Sequence, residues 1–143
     1  MAHSKVRNWV HIVFSTKYRN AQILPSIEKR IHRMLFHQLT QSGCFVEALN
    51  GMPDHIHLLV LLPPERSLSE VVQICKGGSS HEINGQSLLP VKFAWQTGYY
   101  AFSVSESKVP VIRRYIQQQK AHHRIQDMAE ELAWLERLHG LIP

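Results

Sequence analysis

Residues 8–14, NWVHIVF, are apolar at nearly every position. On a strand, successive side chains point to opposite faces, so Trp9, His11 and Val13 form one row and Val10, Ile12 and Phe14 the other. A segment apolar on both rows has no face to offer water. It fits a central strand with a packed layer on each side. NWVHIVFSTKYR, residues 8–19, is read as that strand, and the rest of the chain must supply the cover.

The following segments alternate in period. Ile27, Ile31, Met34, Leu35 and Leu39 recur at helical spacing, with Ser26 placed as an N-cap and Gly43 as a stop. CFVEALNGMPD reads as a short strand and a Gly-Pro turn, and HIHLLVLLP as its hairpin partner. SLSEVVQICKGGSSHEIN opens with the capping-box pair Ser67 and Glu70 and runs as a second helix, weakened at Gly77-Gly78. GQSLLPVKFAWQTG is a loop or irregular hairpin, and YYAFSVS, residues 99–105, a fourth strand. VPVIRRYIQQQKAHHRI is a third helix, and DMAEELAWLERLHG a short amphipathic fourth.

The order β-α-β-β-α-β-α-α begins with the split β-α-β arrangement of ferredoxin-like and RRM-like folds. The class is α+β: a four-stranded antiparallel sheet with two helices on one face. This core is complete at residue 105, and residues 106–143 add the third and fourth helices to a single domain spanning 1–143. The second face of the sheet is left open to a ligand, a base-stacking nucleic acid or another subunit.

No repeat or low-complexity segment interrupts the chain. Cys44 and Cys75 form no CxxC and read as reduced thiols in or near the core. Ile56–Leu62, the longest apolar run, is too short to span a bilayer. MAHSKVRNWV lacks an apolar signal core, so a cytoplasmic location is expected. Charge is uneven: residues 126–143 hold one Arg against four acids, leaving 15 basic and 7 acidic residues in the remainder, a net +8. A basic body with a short acidic tail points to a polyanion, most simply nucleic acid, although a soluble basic protein has the same composition.

His55 and His57 interrupt the hydrophobic run of the third strand. Two residues apart on a strand, they project to one face about 7 Å apart. Two imidazoles so placed either hydrogen-bond at a sheet edge or converge on one metal ion. Structural zinc requires four ligands, and neither cysteine has a partner at finger spacing. A histidine pair completed by amide or water oxygen suits a partly open catalytic site for a harder divalent ion. On the third helix Tyr115 and Gln119 stand at i, i+4 on one face, beside the apolar stripe of Val109, Ile112 and Ile116. Arg113, Arg114, Lys120 and Arg124 crowd the remaining surface, where guanidinium groups suit phosphate. A phenol becomes a nucleophile once its proton is removed or its anion stabilised.

These pieces together resemble the single-tyrosine HUH transposases of small insertion sequences, including the REP-associated tyrosine transposases, where U is a hydrophobic residue. FSTKYR, MPDHIHLLV, KGGSS, WQTGYYAFSVS and YIQQQKAHH carry the resemblance over nearly the whole chain. HIH alone is weak; HIH followed by the W-Q-x-G-Y block and a Y-x-x-x-Q helix is specific. The resemblance implies His55, His57 and Gln119 as ligands of Mg²⁺ or Mn²⁺, and Tyr115 as the nucleophile. It also implies single-stranded DNA with hairpin ends as substrate, a 5′-phosphotyrosyl intermediate, and a homodimer with composite active sites. Lys17, Tyr18, Arg19 and Lys76, together with Arg113, Arg114 and Lys120, are candidate DNA contacts; each serves equally as a solvated surface residue. No nucleotide cofactor is expected, since GxxxxGK[ST] is absent. Two other readings stand beside this one. One is a domesticated relative acting on chromosomal hairpins, and the other a non-catalytic single-strand nucleic-acid-binding module.

Overall fold

The computed structural model describes residues 4–121 and 128–142. Its elements follow the expected order: β1 (Asn8–Ser15), α1 (Glu28–Gln41), β2 (Phe45–Met52), β3 (His55–Leu62), α2 (Leu68–Gly85), β4 (Tyr100–Val104), α3 (Val109–Gln117) and α4 (Met128–Leu138). The strands form one antiparallel sheet in the order β2-β3-β1-β4, so β1 is central and β4 lies at an edge. This is the α+β architecture read from the sequence.

The two rows of β1 face different layers. Val10, Ile12 and Phe14 pack with Ile31, Leu35 and Leu39 of α1 and Val71, Val72 and Cys75 of α2. Trp9 packs with Leu59, Val104 and the buried Val109, Ile112 and Ile116 of α3, while Val13 and Phe102 meet Leu135 of α4. The second face is therefore covered by the chain's own α3 and α4. Each fully buried aliphatic side chain of α3 contributes roughly 1.5–3 kcal/mol by transfer, enough together to hold this short helix on the sheet.

Local boundaries differ from expectation where tertiary contacts override propensity. α1 starts at Glu28 behind Ile27, which makes no side-chain cap and instead packs against the core; Ser26 is not the N-cap. Ser67 does accept from the backbone N–H of Glu70, as the capping box requires. α2 runs unbroken through Gly77 and Gly78, and Gly78 lets Gln38 of α1 approach to where a Cβ would stand at 2.4 Å. β1 stops at Ser15, and Lys17–Arg19 form a single 3-10 turn in which Tyr18 and Arg19 are left-handed (φ 57° and 53°). α3 ends at Gln117 instead of running to residue 125, because the amide of Asn50 donates to the carbonyls of Ile116 and Gln117. The rest of the expected helix beyond residue 121, with Arg124, lies outside the described residues. Cys44 and Cys75 are buried free thiols. No helix among the described residues is long and apolar enough to cross a membrane.

Candidate active site

The β2–β3 hairpin sets the histidine pair. Gly51 pairs with Ile56, and a Cβ at residue 51 would lie 2.2 Å from the carbonyl oxygen of His55, so only glycine permits this close pairing. His55 and His57 are both buried and face α3 and α4, with ring centroids 5.1 Å apart. Each ring is held at Nδ1: His55 by the Asp54 carboxylate at 2.7 Å, His57 by Nε2 of His11 at 2.9 Å. Both Nε2 atoms then aim at one oxygen, Oε1 of Glu131 on α4, at 3.2 and 3.5 Å.

Nε2 of His57 is fully buried and gains no proper hydrogen bond from that longer contact. A buried polar atom without a partner is costly, and here it belongs to a cluster whose donor atoms all lie within 4.8 Å of one another. Two imidazole nitrogens and a carboxylate oxygen converging in this way are a donor set for a divalent cation. The residues present fit such an ion.

Charge around the cluster is strongly coupled. Arg19, swung inward by its left-handed backbone, donates to Asp54 at 3.0 Å and to Glu131 at 3.1 Å. Burial alone would raise both carboxyls. The His55 hydrogen bond and charge together with Arg19 hold Asp54 at about 2, and the close contact of His57, with the charges of His55 and Arg19, holds Glu131 below its ordinary range. Burial pushes His57 and His11 down, so neither ring charges readily.

Tyr115 stands over this cluster, its ring centroid 5.6 Å from that of His57 and 6.2 Å from that of His11. Burial and then the Glu131 charge raise its phenol above the ordinary value, against hydrogen bonds from Gln119 and Trp134. In this state the phenol keeps its proton and needs activation. Gln119 is buried in the turn after α3, not on the helix, and its amide reaches the Tyr115 carbonyl at 3.5 Å. The structure thus places Gln119 beside Tyr115, while Glu131 holds the third position about the two histidines.

The other candidate residues divide by location. Lys17, Tyr18 and Arg114 are exposed, with Lys17 Nζ 5.4 Å from the centre of the Tyr18 ring. Lys76 donates to the carbonyls of Gln96 and Gly98 and pins that loop. Arg113 pairs with Glu47, and Lys120 with Glu28 and the Gly51 carbonyl, tying α3 and its following turn to the rest of the fold.

Four contributors went unrecognised in the sequence: Glu131, Asn50, Asp54 and His11. Glu131 had a legible signal, since it lies at i, i+4, i+7 with Leu135 and Leu138 on the apolar stripe of α4, where a carboxylate demands a partner. His11 had a weaker one, as an imidazole in a strand apolar on both faces. Asn50 and Asp54 flank a turn, a place where such residues are common and carry no message.

The sequence profile of the family described as "Transposase IS200 like" matches residues 4–119. The ISDra2 transposase TnpA of Deinococcus radiodurans is 27% identical over 114 residues, covering 76% of this chain and 81% of the relative. The transposase for insertion sequence element IS200 of Salmonella typhimurium is 28% identical over 138 residues, covering 93% and 88%. Among solved structures, a putative transposase from Deinococcus radiodurans superposes with a TM-score of 0.64 at 26% identity, covering 83% of this chain and 96% of that one. A REP-associated tyrosine transposase bound to a REP hairpin shares the fold, with a TM-score of 0.65 at 15% identity over 86% and 74%. With a sheet that carries HIH at its centre, a tyrosine helix laid across it, and a profile match that begins before β1 and ends at Gln119, the chain belongs to the IS200-like transposase family.

Proposed function

We propose that this transposase cleaves and rejoins single-stranded DNA at hairpin-marked insertion-sequence ends, with Tyr115 as nucleophile and His55 and His57 as metal ligands. The observation that carries the reading is the meeting of the Tyr115 ring with a histidine pair whose two Nε2 atoms converge on one carboxylate oxygen. Residues 1–143 act as one catalytic domain: residues 1–105 supply the sheet and the histidines, and 106–143 the nucleophile and its cover.

The chain's own groups divide the work. Tyr115 Oη gives up its proton and attacks phosphorus in line, forming the 5′-phosphotyrosyl bond as the bond to the 3′ oxygen breaks, and that oxygen takes up a proton to leave as a free hydroxyl, so no net proton is gained or lost. The phosphodiester so formed keeps the energy for rejoining, so no nucleotide is consumed. A divalent ion, Mg²⁺ or Mn²⁺, held by His55, His57 and a carboxylate or amide from Glu131 or Gln119, would supply Lewis-acid stabilisation of charge on the phosphate. Gln119 and Trp134 orient the phenol, and Asp54 and His11 hold the two ligand rings. A groove lined by Ser15, Tyr18, Arg19, Gln96 and Tyr100 opens beside Arg19, and an exposed aromatic beside cations suits a single strand.

Tyr115 meets the histidines of its own chain, which supports a site complete within one subunit. The edge position of β4 favours a second arrangement, a homodimer in which α3 is exchanged and the sites are composite. Mixing a His55→Ala, His57→Ala protein with a Tyr115→Phe protein separates the two, because only composite sites regain a covalent adduct, on the histidine-substituted chain.

The decisive experiment incubates the protein with hairpin single-stranded DNA and Mn²⁺ and looks for a covalent adduct on a denaturing gel. The adduct is expected from the unsubstituted chain and absent from Tyr115→Phe or in excess chelator. An adduct from Tyr115→Phe would overturn the nucleophile assignment, and full cleavage in chelator the metal assignment. A domesticated relative would give the same adduct and differ only in the hairpins it accepts. A pure binding module would give none.

A further inference from the structure

Three imidazoles form a chain leading away from the site. Nδ1 of His57 lies 2.9 Å from Nε2 of His11, and Nδ1 of His11 lies 2.7 Å from Nε2 of His139, just beyond α4. His11 is fully buried at the centre of β1, and both of its ring nitrogens are engaged by the neighbouring imidazoles. His139 is fixed in turn by stacking on Phe102, 4.5 Å between centroids and 5° from parallel. A neutral imidazole has one N–H and one lone pair, so each link must be donor to acceptor and the proton on one ring dictates the next.

We infer that His11, backed by His139, is a positioning residue that fixes the metal-binding tautomer of His57. The inference rests on the reading of His55 and His57 as a metal pair. If Nε2 of His57 gives its lone pair to an ion, its proton sits on Nδ1 and points at His11. His11 must then accept at Nε2, carry its own proton on Nδ1 and donate to Nε2 of His139. With an ion on Nε2 of His57, no other neutral arrangement keeps both hydrogen bonds; the reversed wire needs the His57 proton on Nε2 itself.

The two ligand histidines are thus supported differently. His55 leans on the Asp54 carboxylate, the common partner of a metal-bound imidazole. His57 leans on a neutral ring, which orients it without adding negative charge. The support runs from α4 and the turn after it, the region that also brings Glu131 to the same two histidines.

The test uses the full chain. With ¹⁵N-labelled histidine and Zn²⁺ as a diamagnetic probe, long-range ¹H–¹⁵N spectra should show the proton of His57 on Nδ1 and that of His11 on Nδ1. Mn²⁺ affinity, read by electron paramagnetic resonance, should fall about 10–100-fold in His11→Leu, the range for losing a group that orients a ligand. His11→Gln, which can accept from His57 and donate onward, should restore most of the affinity. His139→Phe, which keeps the stacking and removes the acceptor, should give a smaller loss. A proton on Nε2 of His11 in the Zn²⁺-loaded protein would overturn the inference. So would equal Mn²⁺ affinities in folded His11→Leu and unsubstituted protein, or a Gln variant as weak as Leu. An unsubstituted protein that binds neither ion would instead remove the metal reading on which the inference stands.

Discussion

Replacing Glu131 by glutamine tests how the last helix is held over the histidines. The carboxylate is 11% exposed and meets Arg19 at 3.1 Å and His55 at 3.2 Å. Removing one partner of a fully buried ion pair costs roughly 3–5 kcal/mol. Two features reduce that figure here: Arg19 is 24% exposed, and Asp54 remains as a second carboxylate on the same guanidinium. The glutamine oxygen can still accept from one neighbour, so a loss of about 2 kcal/mol is expected. With a urea slope of about 2 kcal/mol per M, the unfolding midpoint should drop by about 1 M. The assay is urea unfolding at pH 7 with chelator, followed by tryptophan fluorescence. Because Glu131 ionises more easily folded than unfolded, its contribution is present above the ordinary carboxylate pKa, about 4.3, and is lost as pH falls through the lower folded value. The difference between the two proteins should therefore hold from pH 7 to about 5 and close below about 4. A midpoint that stays put, or rises, at pH 7 would refute the reasoning and show that desolvation of the carboxylate outweighs its partners.

The remaining predictions concern other sites. Burial lowers His139 to about 4, so the metal-free protein should lose stability as pH falls from about 6.5 toward 4, and His139→Phe should flatten that slope by at most about 1.4 kcal/mol per pH unit, read from midpoints across the range. Gly77→Ala meets nothing within 4 Å and should stabilise α2 by about 1 kcal/mol, whereas Gly51→Ala collides with the His55 backbone and should both lower the melting temperature and abolish adduct formation. Burial raises the Cys75 thiol to about 12, so alkylation of Cys75 at pH 8 should be undetectable in the folded protein and quick in urea.

The sheet and its order were legible because β1 is apolar on both rows and because each turn carries its own residue signals. The histidine pair and the tyrosine were legible as residue types at fixed local spacing. What the sequence hid depends on contacts across long separations. Arg19 reads as a surface cation beside Lys17, and only the left-handed pair Tyr18 and Arg19 turns it inward to Asp54 and Glu131. Lys120, Arg113 and Lys76 read as a phosphate surface, yet each finds a carboxylate or carbonyl within the chain. The acidic tail entered the sequence reading only as charge balance, yet one of its four acids, Glu131, is buried on the basic cluster while its neighbour Glu130 faces out. The stripe of α4 separates the two, since Glu131 lines up with Leu135 and Leu138 and Glu130 does not, but the groups that receive Glu131 are set only by the fold.

The strand β2 contains one irregularity whose effect reaches the nucleophile. Val46 opposes Val60 and Ala48 opposes Leu59, so Glu47 is an extra residue with no opposite number, and its carboxylate takes Arg113 of α3. Upstream of this bulge β2 keeps one phase of alternation, and downstream it keeps the other. Asn50, which ends α3 two residues after Tyr115, owes its side of the sheet to its pairing with His57. Position 47 is thus a surplus residue that the bulge absorbs without disturbing the register on either side. Exchanging the glutamate loses the ion pair to Arg113, and deleting it closes the bulge into a regular ladder in which Ala48 still opposes Leu59 and Asn50 still opposes His57, so the end of the tyrosine helix keeps its anchor. Among relatives of this chain, loss of the residue between Val46 and Ala48 should therefore be accommodated, whereas a residue added or lost between Ala48 and Asn50 would send the Asn50 side chain to the opposite layer and free the end of the tyrosine helix.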